Sequence, residues 1–167
     1  MLRIAGTEVN IDHSAFEVYV TGCTRGCPGC HNPELQGFGG GMKWTHWYRQ
    51  NQGKLKDLPL MNVWILGGDL LCQYDESDVV EFLKYLRRTV PEGTKLWLWT
   101  GGEFSEVPKS YLPLFDYIKS GPYREGLPHL MWDYDIKYPL LELASDNQVL
   151  HRKKKDGSYA LCVCIKV

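Results

Sequence analysis

The chain has 167 residues, 19 Lys+Arg against 20 Asp+Glu, a formal net charge of −1, and is 44% hydrophobic and 23% charged. That profile belongs to a globular chain, of a length that predicts one domain with a core needing no disulfide or metal staple. Balanced charge leaves no electrostatic footprint for nucleic acid or an anionic membrane, and no apolar run approaches the ~20 residues that span a bilayer.

In chain order, Met1 to Asp12 holds no apolar stretch long enough for a signal peptide, so the expectation is a cytoplasmic protein. Phe16, Val18 and Val20 alternate with Glu17, Tyr19 and Thr21. This period-two strand runs straight into Cys23-Thr24-Arg25-Gly26-Cys27-Pro28-Gly29-Cys30. Three of the six cysteines thus fall within eight residues. Such crowding in a reducing compartment points to a metal or cluster site, with a disulfide framework the weaker reading. Three occupants compete. One is structural zinc with His31 as fourth ligand. Another is covalent haem, because Cys27 to His31 is formally C-x-x-C-H, although that attachment belongs to exported proteins. The third is a [4Fe–4S] cluster, whose irons take cysteine thiolates.

Further along, Trp44, Trp47 and Tyr48 share a face of a weak helix that Gly53 is expected to stop. Met61 to Leu66 forms an apolar strand ending in Gly67-Gly68-Asp69. Asp78 with Glu81 makes a capping-box pattern for a helix whose Val79, Phe82, Leu83 and Leu86 fall at i, i+3, i+4 and i+7, closed by Pro91 and Gly93. Lys95 to Thr100 is a second apolar strand ending in glycines. Phe115 to Lys119 is a third, ambiguous with a helix end. Continuous apolar runs alternating with helices predict parallel strands in right-handed βαβ units. Residues from about 148 to 167 predict a hairpin turning at Asp156-Gly157, with Tyr159, Leu161, Val163, Ile165 and Val167 on one face and Cys162 and Cys164, read as packing residues, on the other. Cys72 reads as a small buried hydrophobe and Arg152 to Lys155 as a solvated tip.

No internal linker or repeat interrupts the chain, which predicts a single α/β domain over residues 1–167. A complete (β/α)₈ barrel takes about 250 residues, so this one is expected to be a partial, open barrel or curved sheet with ligands near the carboxyl ends of its strands. The cysteine loop and Gly67-Gly68-Asp69 both fall at such ends. That shared rim is the first functional signal.

The string Gly22 to Glu34, Gly-Cys-Thr-Arg-Gly-Cys-Pro-Gly-Cys-His-Asn-Pro-Glu, closely resembles the activating proteins of anaerobic (class III) ribonucleotide reductases, in the radical S-adenosylmethionine (SAM) superfamily whose signature is C-x₃-C-x₂-C. Gly67-Gly68-Asp69-Leu70-Leu71 resembles the superfamily's Gly-Gly-Glu/Asp-Pro-Leu motif, with Leu70 in place of proline. Leu96 to Gly101 is similar to the family's third-strand signature, and Ser145 to Val149 to its C-terminal Ser-Asn-Gln element. The Gly-Pro-Gly stretch usual before the first strand is missing.

The resemblance implies a partial, open (β/α) barrel of the radical SAM type with a cluster loop over residues 22–34. It implies that Cys23, Cys27 and Cys30 each bind one iron of a [4Fe–4S] cluster, whose fourth iron takes the amino and carboxylate groups of SAM. Carbonyls of Gly67 and Gly68 would then accept from the methionine ammonium, with Asp69 adding a charge-assisted contact and Gly29 and His31 lying near the adenine or methionine. No catalytic side chain is expected beyond the cluster, since reductive cleavage of SAM to methionine and a deoxyadenosyl radical is cofactor chemistry. The implied partners are an anaerobic ribonucleoside-triphosphate reductase, from a glycine of which hydrogen is abstracted, and a flavodoxin-like electron donor. An incomplete barrel of this size has little chain left to enclose a small substrate, and an open face suits a macromolecular one. Two rivals remain: a 7-carboxy-7-deazaguanine synthase, a family that tends to follow its third cysteine with Asp-Thr where this chain has His31-Asn32-Pro33, and a zinc-stabilised binding module without catalysis.

Overall fold

Four apolar segments form the centre of the protein, here a computed structural model that describes residues 1–165. They are β2 (Ala15–Val20), β4 (Asn62–Gly67), β5 (Lys95–Trp99) and β6 (Tyr117–Ser120), paired in parallel in that order. Antiparallel strands extend the sheet on both sides. β1 (Arg3–Asn10) and the two-residue β3 (Met42–Lys43) lie beyond β2; β9 (Val149–Lys153) and β10 (Tyr159–Leu161) lie beyond β6. The eight-stranded mixed sheet is open, with β10 and β3 at its edges. β7 (Leu130–Asp133), β8 (Leu141–Leu143) and β11 (Val163–Ile165) make a second, antiparallel sheet of three strands.

Strand alternation divides the core in two. On one face Val18, Val20, Val63, Ile65, Leu96, Leu98 and Ile118 meet the helices α1 (Trp44–Lys56) and α2 (Glu76–Thr89). On the other, Trp64, Trp97 and Tyr117 meet Trp132, Tyr134, Leu141 and Leu143 of the smaller sheet region. Trp97 and Tyr117 stack there with ring centroids 4.2 Å apart. Parallel pairing puts the carboxyl ends of β2, β4, β5 and β6 on one rim. Among the described residues, no helix is long and apolar enough to cross a membrane.

Several elements depart from the sequence reading. α2 begins earlier, because Asp75 caps it by accepting from the Asp78 N–H at 3.1 Å. Asp78 instead accepts from the Leu2 N–H at 2.5 Å and from Trp44 Nε1 at 2.8 Å, tying the N-terminus and α1 to α2. α1 runs through Gly53 to Lys56 because Leu55 beyond it is fully buried, and that burial outweighs the glycine's ~1 kcal/mol penalty. The crossover from β5 to β6 holds no α-helix, only 3₁₀ turns at Phe104–Glu106 and Leu112–Leu114, in a segment carrying Pro108 and Pro113. Phe115 to Lys119 resolves as strand. The tail does form its hairpin, with Gly157 at φ 85° in the turn. Its second arm then breaks at Cys162, which is buried in the aromatic core, while Leu161, Val163 and Ile165 face solvent and β11 joins the other sheet. Val167, placed on that face from sequence, lies outside the described residues.

Candidate functional site

The chain leaves β2 at Thr21 and returns to regular structure only at β3, so residues 21–41 form one long loop with a single 3₁₀ turn, Pro33–Leu35. Its root is held by backbone. The N–H groups of Gly22 and Cys23 donate to the carbonyls of Leu35 (2.8 Å) and Gln36 (2.9 Å), and the Asp69 N–H donates to Gly22 O at 3.0 Å. Gly68 permits that approach, since a Cβ there would sit 2.7 Å from Gly22 O and 3.0 Å from Gly22 N. The Gln73 amide fastens the same junction, donating to the carbonyls of Thr21 (3.0 Å), Gly22 (3.2 Å) and Asp69 (3.1 Å).

Asp69 is the hub. It is 2% exposed, and its carboxylate accepts from Arg25 Nε at 2.5 Å, Thr100 Oγ1 at 2.8 Å, the Gly101 N–H at 3.0 Å and the Leu71 N–H at 2.9 Å. One side chain thus joins the middle of the cysteine loop to the ends of β4 and β5. These contacts engage both oxygens, so the charge faces inward toward Arg25. Leu70, standing where the resemblance has proline, is 1% exposed and opens a 3₁₀ turn that Asp69 itself caps.

These contacts frame a cleft of about 360 Å³. Cys23, Cys27, Cys30, His31, Gly67, Gly68 and Asp69 all line it. Gly29 does not: it turns the loop at φ 70°, and a Cβ there would meet the Glu125 carboxyl group at 2.8 Å. His31 packs against Tyr123 with the rings tilted by 47° and their centroids 4.6 Å apart. The segment carrying Tyr123 is fastened by the Ser145 to Gln148 turn, where Asn147 Nδ2 donates to Pro122 O at 2.8 Å and Ser145 Oγ accepts from the Arg124 N–H at 3.3 Å.

The three thiols are free and half-buried. Burial pushes the Cys23 thiol up to about 11, with the nearby Cys72 and Asp69 acting in the same direction against a backbone N–H from Arg25. Among the described residues, no three Cys, His, Asp or Glu side chains are gathered around one point as a single ion requires. Cys23, Cys27 and Cys30 line the same cleft, and three thiolates are a donor set that an iron–sulfur cluster takes, one on each of three irons. Cys72 is not the buried hydrophobe expected from sequence. It is half-buried beside the loop, with Thr24 Oγ1 3.4 Å from its sulfur. Cys162 and Cys164 lie away from the cleft at the smaller sheet.

Sequence reasoning missed Arg25, Gln73, Thr100 and Lys119. Arg25 offered a signal, a cation between the cysteines with an acid following Gly67-Gly68. Gln73 offered none. Lys119 was hidden inside an apolar strand, yet it is 8% exposed and lines the cleft.

The family profile described as "4Fe-4S single cluster domain" matches residues 13–138. The chain is 27% identical over 154 residues to the anaerobic ribonucleoside-triphosphate reductase-activating protein of Haemophilus influenzae, covering 87% of this chain and 92% of that one. It is 27% identical over 151 residues to the protein of that name from Escherichia coli K12, covering 86% and 91%. To that of Enterobacteria phage T4 it is 26% identical over 113 residues, covering 66% and 72%. A profile spanning all four central parallel strands, together with the cysteine loop, settles the kinship: the chain belongs to the 4Fe-4S single cluster domain family.

Proposed function

We propose that the protein is a radical SAM activase that generates a glycyl radical on an anaerobic ribonucleoside-triphosphate reductase. In this reading Cys23, Cys27 and Cys30 hold a [4Fe–4S] cluster, and the open sheet is a partial barrel of the radical SAM type. Bound together, cluster and SAM supply reductive carbon–sulfur cleavage and the radical that takes hydrogen from the partner's glycine. The chain's own work is placement. Gly67 and Gly68 offer backbone to the methionine ammonium; His31, backed by Tyr123, borders the nucleoside side, and Gly29 turns the loop that carries Cys30 and His31. Asp69 fixes the loop through Arg25 and Thr100. A flavodoxin-like protein delivers the electron.

One observation carries the reading: two motifs more than thirty residues apart, the cysteine loop after β2 and Gly67-Gly68-Asp69 after β4, line the same cleft at the carboxyl ends of parallel strands. The printed names of the relatives point to the partner. The test is anaerobic reconstitution with iron and sulfide, followed by SAM, reductant and the reductase. A glycyl radical signal by electron paramagnetic resonance is expected on the reductase. Turnover of carboxytetrahydropterin instead would assign the deazaguanine rival. Zinc near one per chain, without iron or sulfide after anaerobic purification, would assign the binding module.

A further inference from the structure

Cys72 closes the 3₁₀ turn Leu70–Cys72 that follows Gly67-Gly68-Asp69, and it stands behind the cysteine loop, outside the residues that line the cleft. Two contacts tie its sulfur to that loop. Thr24 Oγ1 donates to Cys72 Sγ at 3.4 Å, and the Cys72 thiol is hydrogen-bonded to the thiol of Cys23. A backbone N–H from Arg25 reaches the same Cys23 sulfur. The turn is braced on both sides. The Cys72 N–H donates to Asp69 O at 3.1 Å and the Asp69 N–H to Gly22 O at 3.0 Å, while the Gln73 amide donates to Thr21 O at 3.0 Å and Gly22 O at 3.2 Å. The backbone next to Cys23 and Cys72 is therefore fixed by the chain itself.

Protons give this row of side chains a direction. A hydroxyl and a thiol carry one donor each. Thr24 directs its O–H to Cys72, which leaves the Cys72 S–H for Cys23. A Cys23 sulfur bound to iron is a thiolate with no proton of its own, so it can only accept. Hydrogen bonds to cluster sulfurs are one of the levers on a cluster's reduction potential, because they stabilise the more negative, reduced state. We propose that Cys72 is a positioning residue for the electron: its S–H, aimed by Thr24, donates to the Cys23 thiolate and raises the potential at which the cluster accepts one electron. This rests on the reading of Cys23 as a cluster ligand.

The experiment reads the midpoint potential of anaerobically reconstituted holoprotein by redox titration, following the reduced cluster's paramagnetic signal without SAM. Wild type, Cys72→Ala, Cys72→Ser and Thr24→Val are matched for iron and sulfide content. Loss of one hydrogen bond to a charged sulfur predicts that Cys72→Ala lowers the ratio of reduced to oxidised cluster at a fixed potential about three- to tenfold. At about 59 mV per tenfold for one electron, its midpoint falls about 30–60 mV. Cys72→Ser keeps an O–H donor and should stay near wild type. Thr24→Val, at an exposed position, leaves the thiol but removes what aims it, and should shift the midpoint the same way by less. It carries the test if Cys72→Ala does not fold. An unchanged midpoint in Cys72→Ala, or in Thr24→Val where that variant carries the test, overturns the inference. So does an equal shift in Cys72→Ala and Cys72→Ser, the mark of altered packing rather than a lost donor. A folded Cys72→Ala that retains no iron would make Cys72 a ligand, which also overturns it. Wild type that takes up no cluster overturns the cluster reading and the inference with it, whereas a loaded wild type whose reduced signal ignores added SAM overturns the SAM reading alone.

Discussion

Replacing Asp69 by Asn keeps the side chain's size and one carbonyl oxygen but removes the charge, and it turns an NH₂ toward at least one donor among Arg25 Nε, Thr100 Oγ1 and the N–H groups of Gly101 and Leu71. Stripping one partner from a fully buried ion pair costs ~3–5 kcal/mol. Arg25 keeps 21% of its side chain exposed against 3% for Asp69, so water recovers part of the loss and the expected cost is about 2–3 kcal/mol. For a chain of this length each kcal/mol moves Tm by ~2–4 °C, giving a fall of about 4–12 °C. The assay is urea and thermal unfolding of the metal-free, reduced protein, run as a cycle with Arg25→Met and the double variant. Coupling of at least ~1 kcal/mol is expected, because with Asp69 neutralised the loss of Arg25 costs less. Additivity within ~0.5 kcal/mol would show that the clasp contributes nothing and that Asp69 is free to serve a ligand.

Serine at Cys23, Cys27 or Cys30 should abolish retention of iron and sulfide, whereas serine at Cys162 or Cys164 should leave loading intact; iron analysis separates the two groups. Gly68→Ala puts a methyl 2.7 Å from Gly22 O, where backbone faces backbone, and should cost about 1–3 kcal/mol in urea unfolding together with cluster retention. Because burial holds the Cys23 proton in the folded chain, iodoacetamide labelling of that thiol in the metal-free protein should climb about tenfold per pH unit from 7 to 10. A plateau at the ordinary thiol range, near 9, would refute that environment for Cys23.

Much of this was legible in the chain. Phe16, Val18 and Val20 announced β2 by period two, and the run from Val79 to Leu86 announced α2 by its 3.6-residue period, because each buries one face against a continuous core. β1 was not legible: Gly6, Thr7 and Glu8 are exposed, and pairing with β2 rather than burial makes them a strand. The three-residue β8 and β11 carry too few positions for a period to show. At the site, the cysteines and glycines were readable because their spacing is local. The clasp was not, since Arg25 reaches Asp69 across 44 positions and Gln73 reaches Thr21 across 52. Asp78 was misread for the same reason, its local cap pattern giving way to contacts with Leu2 and Trp44.

How the loop is held bears on what a metal there is for. In small zinc-stabilised modules the ions stand in for a missing core, so ligands and fold form together. Here Cys23, Cys27 and Cys30 belong to neither hydrophobic cluster, and both clusters close without them around Trp97, Phe82 and Leu83. The loop root is secured by Gly22, Cys23 and Asp69 backbone groups and by Gln73, and its middle by Arg25, none of which spends a thiol. The cysteine side chains are therefore left over from the folding problem. Ligands that the fold does not need for its own stability are available to hold a group whose value is chemical.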